Sequence, residues 1–393
     1  MSVQIKENIN FIGIRDWDRR LFDELIPLPD GTSYNCYIVK GSEKTALIDT
    51  VDTHKTDELL KILSDEHIEK IDYIVINHAE KDHSGALPIV MEHFPDAITL
   101  MNEKCKEILL PSLPPLGEKI KIIQDRETLS LGDKTLEFIF TPWVHWPETM
   151  VTLVKEDKIL FTCDFFGSHI ATSVMYEKDE PRVYEAAKRY YAEIMMPFRK
   201  IIQKHLKLLE EIDFTHIAPS HGPIYDNPAF IIDAYRDWTS DEVKNLVIIP
   251  WVSMYSATET MVKHLTSELM KRNIHVIPYH LTSTDIGELA KGLVDVATIV
   301  VASPTVLGGP HPVVAYAVML ANALRPKVKF ATVIGSYGWK GNIVEQIAGM
   351  IGKLKVELLE PCLTKGLPTD ADLAKITELA DQIYQKHKNL GLL

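Results

Sequence analysis

Cysteine is scarce in this chain and never paired in sequence. Cys36, Cys105, Cys163 and Cys362 are scattered over 393 residues and none belongs to a CxxC. That excludes a rubredoxin-type iron site or a zinc ribbon within the sequence and makes free, reduced thiols the default. Cys163, beside Asp164, reads as a packing residue. No uninterrupted apolar run is long enough to span a bilayer, and residues 1–10 are polar, without the apolar core of a signal peptide. A soluble, cytoplasmic protein with no membrane partner is expected. Positive charge is in deficit. The net charge of −13 argues against nucleic-acid binding and suits a partner with a basic docking face. There is no GxGxxG, so a dinucleotide is not expected. Internal repeats and low-complexity tracts are absent too.

The length suggests two or three domains with large cores. Residues 11–14, 34–39 and 45–48 read as short strands, 55–66 as a helix and 71–76 as a buried strand. After a polar loop, helices are expected over 86–93 and 103–110, with a strand over 98–101 between them. Strands follow at 120–123, 136–141, 150–154 and 159–163. A long helical region over 181–212, broken near Pro197, a strand at 217–219 and a helix over 228–238 complete a sandwich of sheets with helices outside it. Residues 239–245 are polar and form the expected boundary, dividing the chain into domains 1–243 and 244–393. Beyond it strands (246–251, 274–277, 298–302, 329–335, 356–359) alternate with helices (258–272, 285–292, 312–324, 342–353, 370–387). That is the pattern of a doubly wound parallel sheet.

The chain is organised around the loop after residues 71–76. It packs His78, Glu80, Asp82 and His83 into six residues. Imidazole and carboxylate are common ligands of first-row metals. Alone, such a loop also has a plainer reading, as a solvated turn. Three later residues shift the balance, each just after an expected strand: His145 in Trp143-Val144-His145-Trp146-Pro147, Asp164, and His221 in Ser220-His221-Gly222. Seven ligands exceed the needs of one ion and suit two, with one carboxylate between them. Trp143 and Trp146 flank His145 as core aromatics or pocket walls. His169, close after Asp164, is the further histidine expected to line the site.

The order HxExDH, then His, Asp and an SHG turn resembles the ligand set of the metallo-β-lactamase fold, with one departure. The zinc hydrolases of that fold have histidine where this chain has Glu80. That exchange, the HWPET segment and a flavodoxin-like second half resemble the flavodiiron proteins over nearly the whole chain. The resemblance implies an N-terminal αββα sandwich. In it His78, Glu80 and His145 hold one non-haem iron, Asp82, His83 and His221 hold the other, and Asp164 bridges. In some members the equivalent of His83 is turned away from the metal. Candidate catalytic residues are Glu80, Asp164 and His169. A carboxylate in place of a neutral imidazole favours the ferric state and a harder metal than zinc. Many dioxygen-reducing members carry a His-Gly near Asp23-Glu24. This chain lacks that histidine, which leaves its choice of gas open.

Three turns of the second half fall where doubly wound sheets bind ligands, at the carboxyl ends of strands. The first is Ser253-Met254-Tyr255-Ser256-Ala257-Thr258, opening a helix. Its backbone N–H groups and hydroxyls suit a phosphate, although an ordinary capped helix start would look similar. The second is Ser303-Pro304-Thr305-Val306-Leu307-Gly308, and the third Ser336-Tyr337-Gly338-Trp339-Lys340-Gly341. Together they look like flavodoxin, with the first turn on the FMN phosphate and the others on the isoalloxazine.

The resemblance therefore implies reduction of dioxygen to water, or of nitric oxide to nitrous oxide, at a di-iron centre fed by FMN. Dioxygen takes four electrons, two from the ferrous pair and two from the flavin. A separate donor, rubredoxin or a reduced deazaflavin, must supply them. A head-to-tail homodimer, or a dimer of dimers, would bring one chain's flavin to the other chain's irons. The alternatives are a zinc hydrolase with a flavodoxin-like regulatory domain and a pure electron carrier.

Overall fold

Alternation along three neighbouring strands determines how the N-terminal half is layered. In Tyr37–Lys40, Thr45–Ile48 and Tyr73–Val75 successive side chains point to opposite faces of a seven-stranded sheet. Tyr37, Val39, Ala46, Ile48 and Val75 share one core with Leu136, Phe138, Met150, Val154 and Phe161 of a five-stranded sheet. Ile38, Leu47 and Ile74 face the other way. They pack on Leu59 and Leu63 of helix Thr56–Asp65, and on Leu87 and Val90 of helix Leu87–His93. Ile139, Val151 and Leu160 on the outer side of the second sheet are buried as well. The result is an αββα sandwich. This computed structural model describes residues 2–112 and 119–393. Its chain divides into one unit of Met1–Tyr191 with Phe198–Thr239 and a second of Ala192–Pro197 with Ser240–Leu393.

In the second unit the strands run in the order His275–His280, Lys244–Trp251, Val296–Val306, Phe330–Tyr337, then Glu357–Leu358 and Cys362–Lys365, all parallel. This is the flavodoxin strand order. Val247 and Ile249 pack against Met261, Leu265, Ile376 and Ile383 from helices Ala257–Lys271 and Asp370–Asn389. Among the described residues no helix is long and apolar enough to cross a membrane.

Departures from the expected elements have local causes. The strand expected over 11–14 divides into Ile9–Phe11 and Ile14–Asp16. At Gly13 between them a Cβ would lie 2.6 Å from the Asn35 Cα. The strand expected over 34–39 divides at Asn35, whose N–H donates to Ser220 O instead of a ladder partner. The break near Pro197 is a π turn, Tyr191–Met195, followed by a 3-10 turn, Met196–Phe198. The strand expected to end at 302 continues to Val306, then turns through Leu307 and Gly308, both at positive φ, to pair with Gly309–Pro310. A two-residue hairpin of this twist needs those φ values. Thus Ser303, Pro304, Thr305 and Val306, expected in a loop, lie in a strand.

One buried histidine ties the last helix to the sheet. His387 is fully buried; its Nδ1 lies 2.8 Å from Asn245 Oδ1 and its Nε2 2.8 Å from Thr298 Oγ1. Burial lowers its pKa from 6.5 to about 4. A histidine whose pKa falls on folding contributes its full stability above the unfolded value, and that contribution is lost as pH falls toward the folded value. The holoprotein should therefore lose stability between about pH 6.5 and 4, by on the order of 2 kcal/mol after allowance for screening. Urea melts of wild type and His387→Gln across that range will check this. The variant should be weaker at neutral pH but have a flatter acid limb.

Candidate metal centre

The ligand loop is held at its base before any ligand is considered. Asp49, buried, accepts from the Asn77 N–H and Nδ2, both at 2.8 Å. Asn77 Oδ1 in turn accepts from Thr152 Oγ1 of the second sheet at 2.7 Å. His78 follows directly. The loop then closes into a single helical turn, Lys81–Ser84, a turn the sequence did not suggest. Glu80 stands at its N-cap, and Ser84 Oγ donates back to the carbonyls of Ala79 and Glu80. Asp82 and His83 are placed by that turn rather than by an open loop.

The other ligands reach the same place from the strand ends. Strand Ile159–Cys163 leads into Asp164, and its parallel neighbour His216–Pro219 leads into His221. The SHG turn is pinned by Asn35, whose Nδ2 donates to the carbonyls of Pro219 and Gly222. Gly222 has φ +81 and lies so close to Ser168 that no Cβ could be accommodated. His221 Nδ1 donates to Ser33 O at 2.6 Å, which leaves Nε2 as the inward-facing atom.

All seven expected ligands come together. The ligand atoms of His78, Glu80, His145 and Asp164 lie within 4.8 Å of one another, as do those of Asp82, His83 and His221. Asp164 divides its two oxygens between the sets. Oδ2 is 3.4 Å from His78 Nε2 and 3.3 Å from His145 Nε2, while Oδ1 is 3.0 Å from His83 Nε2 and 3.4 Å from His221 Nε2. Glu80 Oε2 is 3.2 Å from His78 Nε2 and 3.1 Å from His145 Nε2. Asp82 closes the second set, 3.2 Å from His83 and 3.0 Å from His221. Both Asp82 oxygens, Asp164 Oδ2 and His83 Nε2 are buried and make no well-formed hydrogen bond. Donors and acceptors that converge at such distances without bonding fit a shared cation. His83 points into the cluster here.

The electrostatics agree. Burial alone would lower each histidine's pKa, but the carboxylates outweigh it. His145 is pushed up to about 9 by Asp164 and Glu80, and His221 to about 10 by Asp164 and Asp82. His78 lies well above its ordinary value, held by Glu148, Glu80 and Asp164. Against burial, His83, His145 and His221 hold Asp164 well below the carboxylate range, and His145 and His78 lower Glu80 as well. A metal entering near neutral pH must displace protons from these rings, so binding is coupled to proton release.

Two residues around the ligands, Glu148 and Tyr190, were not picked out from the sequence. Glu148 is buried and accepts from His78 Nδ1 at 2.7 Å and from the Ala79 N–H at 3.0 Å, an arrangement that orients a metal-binding imidazole. Its signal was the Glu of the HWPET segment. Tyr190 Oη donates to Asp164 Oδ1 at 2.8 Å, but Tyr190 sits in an amphipathic helix and looks like core. His169 is beside the cluster: its ring centroid is 4.8 Å from that of His221, Nδ1 hydrogen-bonds with Thr32 Oγ1 and Nε2 is buried without a partner. Trp146 meets the His78 ring edge-on at 5.0 Å, whereas Trp143 is half exposed and stacks on Phe198. Asp23 tops a hairpin, Leu21–Phe22 with Ile26–Pro27. Its pKa is raised by burial and by the negative charge of Glu80 and Asp82. Cys163 is buried with its pKa pushed well up by burial, in keeping with a packed, neutral thiol.

In the second unit the first turn has Tyr255 and Ser256 at positive φ, directly before helix Ala257–Lys271. Successive N–H groups in such a turn form an anion-binding concavity. Ser256 makes no side-chain cap, and Thr258, fully buried, reaches Ser336 of the third turn, Oγ1 to Oγ 3.3 Å. The residues between Ser253 and Thr258 include no Lys or Arg, so what this turn itself offers a phosphate is backbone N–H groups and hydroxyls. Ser303 is committed internally: its Oγ donates to Pro304 O and accepts from His311 N.

Comparison with known proteins gives a consistent picture. A family model described as "ODP family beta lactamase" matches residues 32–222. The chain is 34% identical over 390 residues to a nitric oxide reductase of Moorella thermoacetica, covering 97% of this chain and 98% of that one. It superposes on the rubredoxin:oxygen oxidoreductase from Desulfovibrio gigas with a TM-score of 0.96 at 29% identity, covering 99% of both chains. For the flavodiiron protein from Giardia intestinalis the TM-score is 0.90 at 28% identity, covering 98% of this chain and 96% of that one.

The contact between Glu148 and His78 gives a test. Glu148→Gln keeps the size and one acceptor but removes the charge that holds the ring. Metal retention against a chelator should fall roughly 10- to 100-fold while circular dichroism stays unchanged. Unaltered retention would show that Glu148 only packs.

Proposed function

Since this chain belongs to the flavodiiron family, we propose that its seven clustered ligands hold two irons and that its three flavin turns hold FMN. It is an oxidoreductase that reduces dioxygen to water, nitric oxide to nitrous oxide, or both. The observation that carries the site assignment is Asp164, with one oxygen turned to each ligand set and a carboxylate, Glu80, where zinc enzymes of the fold have imidazole. His78, Glu80 and His145 would hold one iron and Asp82, His83 and His221 the other, with Asp164 offering one oxygen to each set. When bound, the irons bind and reduce the gas and FMN supplies the further electrons. Tyr190 fixes Asp164 through its hydroxyl. His169, its Nδ1 engaged by Thr32, presents Nε2 as a hydrogen-bonding atom beside the second iron ligands. Residues 1–243 form the metal-holding domain and 244–393 the FMN-holding domain.

Electrons reach the flavin from outside these residues, which contain no CxxC to build a rubredoxin site. Rubredoxin or a reduced deazaflavin fits that role, and a cytoplasmic setting would supply either. The working assembly is a head-to-tail homodimer or a dimer of dimers, in which one protomer's flavin serves its partner's irons. Tyr255, Leu307 and Trp339, one from each flavin turn, are almost fully exposed, which suits a surface that a partner covers.

Purified protein should carry about two irons per chain, as the two ligand sets require. Anaerobically reduced, it should turn over dioxygen or nitric oxide when the two gases are compared side by side. Glu80→His should shift the metal content toward zinc and abolish turnover. Two tightly held zincs, with no activity after iron loading, would contradict the reading. For the flavin, Thr258→Asp places a carboxylate against the phosphate and should expel FMN. Hybrids of that variant with the metal-deficient pair His78→Ala and Asp164→Ala, purified with two tags, should regain activity if electrons cross between protomers. A dead hybrid with verified cofactor content would rule out the crossing.

A further inference from the structure

The second unit contains a cavity that neither the flavin turns nor the metal site explains. It measures about 220 Å³ and lies between one face of the parallel sheet and three helices, Ile286–Leu293, Pro312–Leu324 and Ile343–Met350. Its existence is written in small residues. Ala317 and Ala321 of one helix, Ala348 of another and Ala331 of the sheet all line it, at positions where Leu or Ile would fill the space. The surrounding residues, Ile248, Leu289, Val301 and Val333 among them, are aliphatic.

What the cavity could hold follows from what it lacks. Thr332 is its one lining hydroxyl, and that hydroxyl is already spent, donating to Glu360 O at 3.1 Å. Among the described residues Glu360 is the only charged one lining it and is exposed, as is Leu358. The cavity therefore meets solvent where the edge strand is interrupted between Glu357–Leu358 and Cys362–Lys365. Among the described residues no lining side chain apart from Glu360 at the mouth is free to pair with an ion or a polar ligand, and that carboxylate repels anions. Water, needing two or more polar partners, gains little by entering. An apolar cavity of roughly 150 Å³ is large enough to admit benzene.

We propose that this cavity is a binding site for a compact, uncharged, apolar molecule about the size of one aromatic ring, and that its occupancy stiffens the third flavin turn. The second part rests on the FMN reading. Strand Phe330–Tyr337 supplies Ala331 and Val333 to the cavity and runs straight into that turn. Helix Ile343–Met350 supplies Val344, Ile347 and Ala348 and starts where the turn ends. A ligand wedged between these two elements restrains both supports of residues 336–341. By linkage, binding at one site then favours binding at the other.

The experiment uses benzene as the probe on the FMN-loaded holoprotein. Calorimetric titration should show saturable binding, and the rate of FMN release on dilution should fall several-fold at saturation. Two filling variants, Ala348→Phe and the milder Ala321→Leu, should abolish benzene binding while keeping or raising the melting temperature. No saturable binding to wild type, binding that survives both variants, or FMN release indifferent to benzene overturns the proposal. If the protein carries no FMN, the flavin reading fails instead, and the benzene titration still tests the cavity.

Discussion

A carboxylate buried among imidazoles, with cationic groups wanted at both of its oxygens, is the constraint on which the first unit depends. Asp164 is almost wholly inaccessible, and so are Asp82, His78, His83 and His221. Burying any one of these charges alone would be prohibitive, and they persist only as a mutually neutralising set. The shifts run in one direction. Imidazoles hold protons above their usual range, and Asp164 and Glu80 release theirs below it. Once those protons are displaced, the cluster becomes an electrostatic well for cations, and the order in which ligand atoms face Asp164 divides that well in two.

The fold keeps the well from collapsing by fixing each ligand from behind. Asp49 holds Asn77, and Asn77 is tied through Thr152 to the opposite sheet, so the first ligand loop is anchored to both layers of the sandwich. His221 is oriented by a carbonyl of Ser33, and His78 by Glu148. The last two of these tethers join residues 188 and 70 positions apart in the chain. Two imidazoles are thereby set in one tautomer and one direction before a metal arrives, which is the arrangement that makes a site selective rather than merely acidic.

The same sequence separations explain what could be read from the chain and what could not. His78, Glu80, Asp82 and His83 were legible because their chemistry is concentrated in six residues. His145, Asp164 and His221 were legible because each follows a recognisable strand. Tyr190 was not, since one tyrosine on the buried side of an amphipathic helix carries no sign that its hydroxyl meets Asp164. Glu148 left a faint trace in the HWPET segment. The layered fold followed from period-two alternation and from regular β–α succession. The exact strand ends did not, because they depend on distant partners: Asn35 leaves its ladder to bond Ser220, and residues 303–306 stay in a strand because a tight hairpin continues them.

The charge at the metal site is set by the metals and not by the substrate. Dioxygen and nitric oxide are neutral, so no Coulomb term draws them in or keeps them out. Extra negative charge near the site therefore costs such a substrate nothing, and the chain can place Asp23 near Glu80 and Asp82, where its carboxyl is pushed up by burial and by both neighbours. The same reasoning separates this site from a hydrolytic one, where an anionic or strongly polar substrate has to approach and surplus negative charge would oppose it. On the proposed ligand assignment, Glu80 in place of an imidazole would remove a neutral ligand and add a negative one at a metal held there. That exchange is tolerable for a gas and favourable for an iron that must cycle to the higher-charged state. One residue thus joins the choice of metal to the class of substrate.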